Sequence, residues 1–385
     1  MRCSTDRILC THVGSLPRPQ AVVDMLAQRE AGEPIDEDAF YLRMRDAVAE
    51  VVRRQRAVGV DVVSDGEQAK VGYANYLRDR FSGFSGESAA VRGADLEDFP
   101  EYLARLLKRR EGAVKIHRPC CTAEIRLRNE RPLREDISNL QAALHSSGAE
   151  EAFMNAASPG VVAVFQPNRY YTSQSAYLEA LAEAMRHEYR SIIDAGFVLQ
   201  IDCPDLAMGR HVTYKDLDDE AFLGRLHEQL EALEHALSGL PADRIRMHLC
   251  WGNYEGPHHR DIDLRKIFAA VIRARPQAIL FEAANPRHAH EWAIFEELKA
   301  LIPSDKILVP GVVQSSSNYI EHPELVAQRL ERFAQIVGRD RVMAGSDCGF
   351  STFAGDGLVD PQIVYAKLQA MSQGAALASR RLWGH

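Results

Sequence analysis

A histidine and two cysteines near the ends of predicted strands are the residues of this chain best suited to metal chemistry. His248 and Cys250 are separated by one residue in the sequence HLCWGN. In a β-strand, residues at this spacing point to the same side, so the imidazole and the thiol would face one point. Zinc prefers nitrogen and sulfur ligands in tetrahedral geometry. Cys348 and Glu282, at two later strand ends, could complete such a set. They favour a metal site over the alternative of a core histidine beside a buried cysteine.

Polar clusters also follow several other predicted strands. They read SDGE (Ser64–Glu67), QIDCPD (Gln200–Asp205), FEAANPRH (Phe281–His288) and GSDCGF (Gly345–Phe350). In an α/β barrel, the carboxyl ends of the strands gather on one face, where active sites are built. We therefore expect these clusters to meet around one site.

Strand-like and helical patterns alternate along the chain. Strands are predicted at Leu9–Val13, Asp61–Ser64, Cys120–Leu127, Gly160–Gln166, Val198–Cys203, Ile245–Trp251, Ala278–Ala283, Ile307–Val313 and Val342–Ser346. Amphipathic helices are predicted at Ala21–Ala31, Glu37–Val58, Ser175–Ala195, Asp218–Ser238, Leu264–Arg275, Ala289–Leu301 and Glu324–Val337.

This alternation predicts an α/β protein, a single (β/α)8 TIM barrel over residues 1–385 with an N-terminal extension. The nine predicted strands are one more than the barrel needs. The charged and irregular stretch Phe81–Arg118 is interpreted as an insertion or lid, not as a separate domain.

The composition argues against several classes of protein. A formal net charge of −8 over 385 residues gives no basic excess for binding nucleic acid. No apolar run approaches the ~20 residues that span a bilayer, and the N-terminus lacks the layout of a signal peptide. We therefore expect a cytoplasmic protein without a membrane partner. Seven widely spaced cysteines, an odd number, favour metal binding or catalysis over a disulfide framework.

The ordered motifs resemble those of a known family. The segments THVGSLPRP (Thr11–Pro19), SDGE, QIDCPD, HLC, FEAANPRH and SDCGF look like those of the cobalamin-independent methionine synthases. They look still more like the single-domain bacterial relatives, which include the epoxyalkane:coenzyme M transferases; HLCWGNYEGPHHRDI (His248–Ile262) is especially similar to that branch. The resemblance implies a (β/α)8 barrel and a zinc ion bound by His248, Cys250, Glu282 and Cys348.

The same resemblance implies roles for four further residues. Gly14 and Ser15 match the motif that binds the carboxylate of the thiol substrate, and Glu67 and Asp202 match two acids that bind its amino group. Capping of the following helix is the alternative for each acid. If both acids are functional, the thiol should carry an amine, as homocysteine does, because two carboxylates would repel a sulfonate.

Two positions depart from the synthase pattern. Cys203 stands where those synthases carry a glutamate, and VVQSSSN (Val312–Asn318) has serines where they carry a histidine thought to help protonate the folate leaving group. These departures weaken the expectation of a methyltetrahydrofolate donor. They leave the predicted zinc ligands untouched.

The predicted ligand set suits activation of a thiol. A free thiol, with a pKa near ~8.5, is mostly protonated at neutral pH, whereas zinc coordination deprotonates it. Two cysteinates and Glu282 would keep the site anionic and the sulfur nucleophilic, and displacement of Glu282 by the thiol would preserve four-coordination. The leaving group needs a proton, and the candidate donors are His211, His258, His259 and Asn253, of which His211 and His258 are preferred. The alternative for His258 and His259 is that they are exposed loop residues.

The sequence thus predicts a zinc-dependent transferase that moves a methyl or alkyl group from a small-molecule donor to a small-molecule thiol. Addition of a thiol to an epoxide is the first alternative. A lyase or decarboxylase on the same barrel is the second, against which the complete ligand set argues. Structural zinc in a non-enzymatic protein fits poorly, because such sites use closely spaced cysteine pairs. The possibility of a homo-oligomer stays open.

Overall fold

The structure, a computed structural model, describes residues 1–109 and 113–384. Its strands are β1 (Leu9–Cys10), β2 (Val62–Val63), β3 (Phe81–Ser85), β4 (Cys120–Leu127), β5 (Glu151–Ala157), β6 (Val198–Asp202), β7 (Ile245–Leu249), β8 (Ala278–Phe281), β9 (Ile307–Val313) and β10 (Met343–Ser346). Its helices are α1 (Gln20–Glu30), α2 (Glu37–Ala57), α3 (Leu77–Arg80), α4 (Ala94–Glu97), α5 (Pro100–Arg109), α6 (Arg131–Ser147), α7 (Pro159–Phe165), α8 (Gln174–Asp194), α9 (Gly209–Val212), α10 (Asp219–Ala236), α11 (Leu264–Ile272), α12 (Trp292–Glu297), α13 (Pro323–Val337) and α14 (Pro361–Trp383).

Eight parallel strands form the barrel. Their order is β1-β10-β9-β8-β7-β6-β5-β2. The ends of this sheet meet where the Asp61 amide donates to the Cys10 carbonyl at 2.9 Å and the Thr11 hydroxyl donates to the Val62 carbonyl at 3.0 Å. The predicted (β/α)8 barrel is therefore confirmed. None of the helices within residues 1–109 and 113–384 has both the length and the apolar character needed to cross a membrane.

Two of the predicted strands do not belong to the barrel. Cys120–Leu127 is a strand, but it pairs antiparallel with β3 in a separate two-stranded sheet. The prediction of a strand at Gly160–Gln166 is wrong, because Pro159–Phe165 is a helix. The Ser158 hydroxyl accepts the Val161 amide at 3.0 Å and Pro159 occupies the first turn, a combination that starts helices.

The barrel strand missed by the sequence prediction is β5; the short β3, outside the barrel, was also not predicted. All seven of its residues are buried, and the sequence EAFMNAA has no β-branched residue. Two long helices, α6 and α14, were also absent from the prediction, whereas the ends of α1, α2, α8 and α13 lie within one residue of their predicted positions. Total burial removes the alternation that identifies a half-exposed strand.

The predicted insertion lies beside the barrel mouth and has its own short elements. It begins with β3 and includes α4 and α5; Arg110–Gly112, within its predicted range, lies outside the described residues. The Asp95 carboxylate accepts the Tyr254 hydroxyl at 2.8 Å and the His258 amide at 2.9 Å. The insertion is therefore joined to the loop that follows β7.

Alternate residues of β7 point into the barrel. Arg246 and His248 face the interior, where they lie in register with Gln200 and Asp202 of β6. The Arg246 guanidinium donates to the Gln200 side chain at 2.8 Å and to Thr11 and His12 at 2.9 Å each. This buried cation forms a polar floor beneath His248.

Arg246→Ala should lower the free energy of unfolding by about 3 kcal/mol or more, because it opens a cavity and leaves buried acceptors unpaired. Chemical unfolding followed by circular dichroism would measure the change. The control is Arg273→Ala, at an exposed position directly after α11. It should change the free energy of unfolding by at most about 0.5 kcal/mol. Equal stability of the two variants would contradict a structural role for Arg246.

Candidate active site

Three predicted metal ligands meet at the carboxyl end of the barrel. One donor atom from each of His248, Cys250 and Cys348 lies within 4.8 Å of the other two, and all three residues are buried. Tetrahedral zinc with two sulfur ligands would set the sulfur atoms about 3.8 Å apart, a separation within this limit. The donor set of one nitrogen and two sulfurs fits zinc.

The three side chains perturb each other's protonation. A hydrogen bond from Cys348 lowers the pKa of Cys250, while burial raises the pKa of Cys348 well above its usual range. Burial opposes charge on His248, but the Cys250 sulfur and Asp202 outweigh it and raise the His248 pKa to about 9. Protons thus neutralise negative charge where a bound cation would do so.

Glu282, the fourth predicted ligand, does not join that group. Its carboxylate accepts the Trp251 amide at 2.8 Å and the Asn285 side-chain amide at 2.6 Å. Asp347 holds the same loop, because it accepts the amides of Ala283 and Ala284 at 2.9 Å each. Glu282 is therefore fixed beside the three donors, and they leave a fourth coordination position to be filled.

A cavity of about 280 Å³ opens above the three donors. Of the four predicted substrate-binding residues, Ser15, Glu67 and Asp202 line it. Gly14 does not line the cavity. Its φ is +148°, and a Cβ added to it would lie 2.5 Å from the side-chain amide of Asn155. The missing side chain therefore lets Asn155 pack closely against the backbone. Much of the remaining wall is apolar and comes partly from the insertion: Val13, Ala90, Val91, Leu96, Leu103, Leu106, Leu107, Phe165, Met208, Val212 and Phe353.

Glu67 and Asp202 differ in how they are held. Asp202 accepts the side-chain amides of Asn155 and Gln200 at 2.9 Å each. One Glu67 carboxylate oxygen is buried with no partner among the described residues, and the residue has a φ of +55°. Burial raises the pKa of Glu67 to about 7, against the lowering influence of Lys70. An unpaired buried acceptor beside a cavity can accept a hydrogen bond from an ammonium group.

The two predicted proton donors lie behind the wall and are not part of the cavity lining. The His211 side chain is 1% exposed, with Nδ1 3.4 Å from Asp261. His258 lies 3.1 Å from the same carboxylate, and so does His288. Burial lowers the pKa of His211, whereas Asp261 overcomes burial to raise that of His258 to about 9. Three histidine side chains thus lie next to the Asp261 carboxylate beside the cavity.

Asn253, a candidate proton donor from the sequence, lines the cavity, and so does Tyr254, which was not among the predicted site residues. The Asn253 side chain donates to the Gly349 carbonyl at 2.6 Å and accepts the Ser315 hydroxyl at 2.9 Å. Ser315 belongs to the serine run that departs from the synthase pattern. The signal in the sequence was WGNYEG directly after the ligand pair, where the glycines on both sides of Tyr254 suggest a closely packed ring.

Comparison with known proteins identifies the class to which this fold and site belong. The family model described as the catalytic domain of cobalamin-independent synthase matches residues 8–88 and 85–376. The chain belongs to this family, as the motifs predicted, and membership identifies it as an enzyme.

Individual relatives are similar over nearly their whole length. The methionine synthase of Thermococcus kodakarensis is 26% identical over 371 residues, covering 96% of this chain and 93% of that protein. That of Saccharolobus solfataricus is 24% identical over 376 residues, covering 97% and 95%. The structure of a B12-independent methionine synthase from Shewanella sp. W3-18-1, in complex with selenomethionine, has a TM-score of 0.73 at 18% identity and covers 98% of this chain and 100% of that one. This last likeness supports the barrel fold.

The purified protein should contain about one zinc ion per chain. Cys250→Ser and Cys348→Ser should lose it, because each removes a sulfur ligand. Elemental analysis by mass spectrometry would measure the metal, and Cys3→Ser, in the N-terminal segment, is the control that should retain it. A wild-type protein that is folded but free of zinc would overturn the assignment of the metal.

Proposed function

We propose that this enzyme transfers a methyl or alkyl group to the sulfur of a small thiol, using zinc held by His248, Cys250 and Cys348 with Glu282 as the fourth ligand. The buried cluster of one imidazole and two thiols at the base of a cavity is the observation that carries the proposal. Membership in the cobalamin-independent synthase family supports it. Zinc in such a site would supply deprotonation of the substrate thiol at neutral pH.

The residues around the cluster are suited to binding an amino thiol. Glu67 and Asp202 offer carboxylate oxygens on the barrel side of the cavity, and Ser15 offers a hydroxyl. An ammonium group would satisfy the unpaired oxygen of Glu67 and separate two acids that disfavour each other's ionisation. Homocysteine, the acceptor implied by the synthase relatives, carries both the thiol and the amine.

The contacts of Glu282 support the proposal that it is the ligand that the thiol would replace. Its contacts with the Trp251 amide and the Asn285 side chain stabilise the free carboxylate. If the substrate thiol took the place of Glu282 on the metal, these donors would hold the displaced carboxylate. The contacts with Trp251 and Asn285 would therefore stabilise Glu282 after the substrate had replaced it.

Addition of the thiol to an epoxide is the second candidate function. Ser315 bonds Asn253 in the segment where the synthases carry a histidine, and the cavity wall contributed by the insertion is rich in leucine. Both features suit a compact apolar donor better than a polar pterin. Two arginines of the insertion, Arg92 and Arg118, also line the cavity and could offset an anionic group.

Adding the correct thiol should place a further sulfur on the zinc and reduce its oxygen coordination. X-ray absorption of the zinc protein, with homocysteine, coenzyme M and cysteine in parallel, would measure the change. Absence of any change with all three thiols would count against thiol activation. The thiol that binds can then be combined with methyl-folate and epoxide donors, and mass spectrometry of the products distinguishes the two candidate functions.

Glu67→Gln should weaken homocysteine binding by about 10-fold or more, because a hydrogen bond to a charged group contributes about 1.5–3 kcal/mol. Isothermal calorimetry on the zinc protein would measure the affinity. Glu101→Gln, on the exposed surface of α5, is the matched control and should bind as the wild type does. If both variants bind homocysteine equally, Glu67 does not hold the amine.

A further inference from the structure

The aromatic ring of Tyr254, a residue of the cavity wall, is closely enclosed by its neighbours. A Cβ added to Gly252 would lie 2.7 Å from the Tyr254 ring, and one added to Gly256 would collide with the opposite edge. The ring also stacks on His258, with centroids 4.3 Å apart. These contacts fix the position of the phenol ring at the cavity wall and so restrict the position of its hydroxyl.

The Tyr254 hydroxyl lies between an acid of the insertion and a histidine of the barrel. It is 2.8 Å from both carboxylate oxygens of Asp95 and 3.3 Å from Nε2 of His211. Burial, together with Asp95, raises the pKa of Tyr254 far above its usual value, so the phenol stays protonated. Such a weak acid gives up its proton only to a strong base, such as an oxygen whose bond to carbon is breaking.

The same hydroxyl is the inner end of a chain of titratable groups. Nδ1 of His211 lies 3.4 Å from one oxygen of Asp261, and His258 lies 3.1 Å from the other. The side chains of His211 and Asp261 are 1% exposed, whereas that of His258 is 13% exposed. The chain runs from the cavity wall toward the surface. Nδ1 of His211 makes no hydrogen bond to any residue that the structure describes, so proton exchange with Asp261 requires the imidazole ring to turn.

We propose that Tyr254 is the acid that protonates the leaving group of the alkyl donor, and that His211, Asp261 and His258 return a proton to it from solvent. The proposal rests on the proposed function. It assigns the two histidines predicted as donors to positioning and relay, because neither lines the cavity, and it assigns the direct contact with substrate to Tyr254.

The step balances as follows for an epoxide donor. The thiolate sulfur forms a bond to a ring carbon as the bond from that carbon to oxygen breaks, and the oxygen takes the electron pair. The Tyr254 hydroxyl turns from Asp95, and its proton passes to that oxygen. His211 then supplies a proton to the phenolate, and the His258 end of the chain takes a replacement from solvent. The substrate thiol released one proton to solvent when it became a thiolate, so the net reaction neither consumes nor releases a proton. No oxidant or reductant takes part.

The test compares donors that need a proton with one that does not. Iodomethane alkylates a thiolate with iodide as the leaving group, which takes no proton, whereas epoxypropane and methyltetrahydrofolate require one. In Tyr254→Phe the ring remains and the hydroxyl is lost. The rate with the proton-requiring donor that the wild type accepts should fall about 100-fold or more, while the iodomethane rate and the calorimetric affinity for the thiol stay unchanged. His211→Gln should slow the same donor.

Tyr214→Phe, whose ring lies outside the cavity lining, is the matched control and should react as the wild type does with every donor. Equal slowing of iodomethane and the proton-requiring donor in Tyr254→Phe would overturn the proposal, since the residue would then only shape the site. Unchanged rates in Tyr254→Phe or His211→Gln would also overturn it. A wild type that methylates no thiol even with iodomethane would overturn the proposed function itself.

Discussion

The side-chain alternation of β7 is the constraint on which the rest of the site depends. Because residues two apart share a face, Arg246 and His248 both point into the barrel, and Cys250 continues the same row just beyond the strand. Arg246 occupies the floor through bonds to neighbouring strands. A shift of one residue in the pairing of β7 with β6 would turn this whole row toward the surrounding helices. The register of one strand thus sets both the floor of the barrel and the position of the proposed metal ligands.

The sequence was enough to predict the barrel and the three donors, because their signals are local. A period of two within a strand brings His248 and Cys250 together, and barrel closure brings Cys348 to them. The signals failed where burial is complete. The alanine-rich β5 and the apolar α7 show no alternation between buried and exposed positions, so the serine cap and proline at the start of α7 were the better guide. The position of Glu282 could not be foreseen, because it depends on two loop contacts.

The cluster behind the cavity was also beyond prediction from sequence. Asp95, His211 and Asp261 come from three distant segments, and only the packing of the insertion on the barrel brings them to Tyr254. The sequence does contain the local part of this arrangement, in the glycines that flank Tyr254. Glycines beside an aromatic residue are commonly read as a turn. Here they give the ring the space it needs.

The distribution of charge around the cavity bears on the conflict between an amino thiol and a sulfonate thiol. The acids Glu67 and Asp202 lie on the barrel side, near the sulfur donors, whereas Arg92 and Arg118 enter from the insertion. Coulomb attraction in a cavity with apolar walls is stronger than in water. An ammonium close to the reacting sulfur is therefore favoured on the barrel side, and a negative group is favoured only where it can reach the arginines. In the proposed reaction the sulfur lies at the donor cluster, so the distance from the thiol to its anionic group decides which substrate the charges accept.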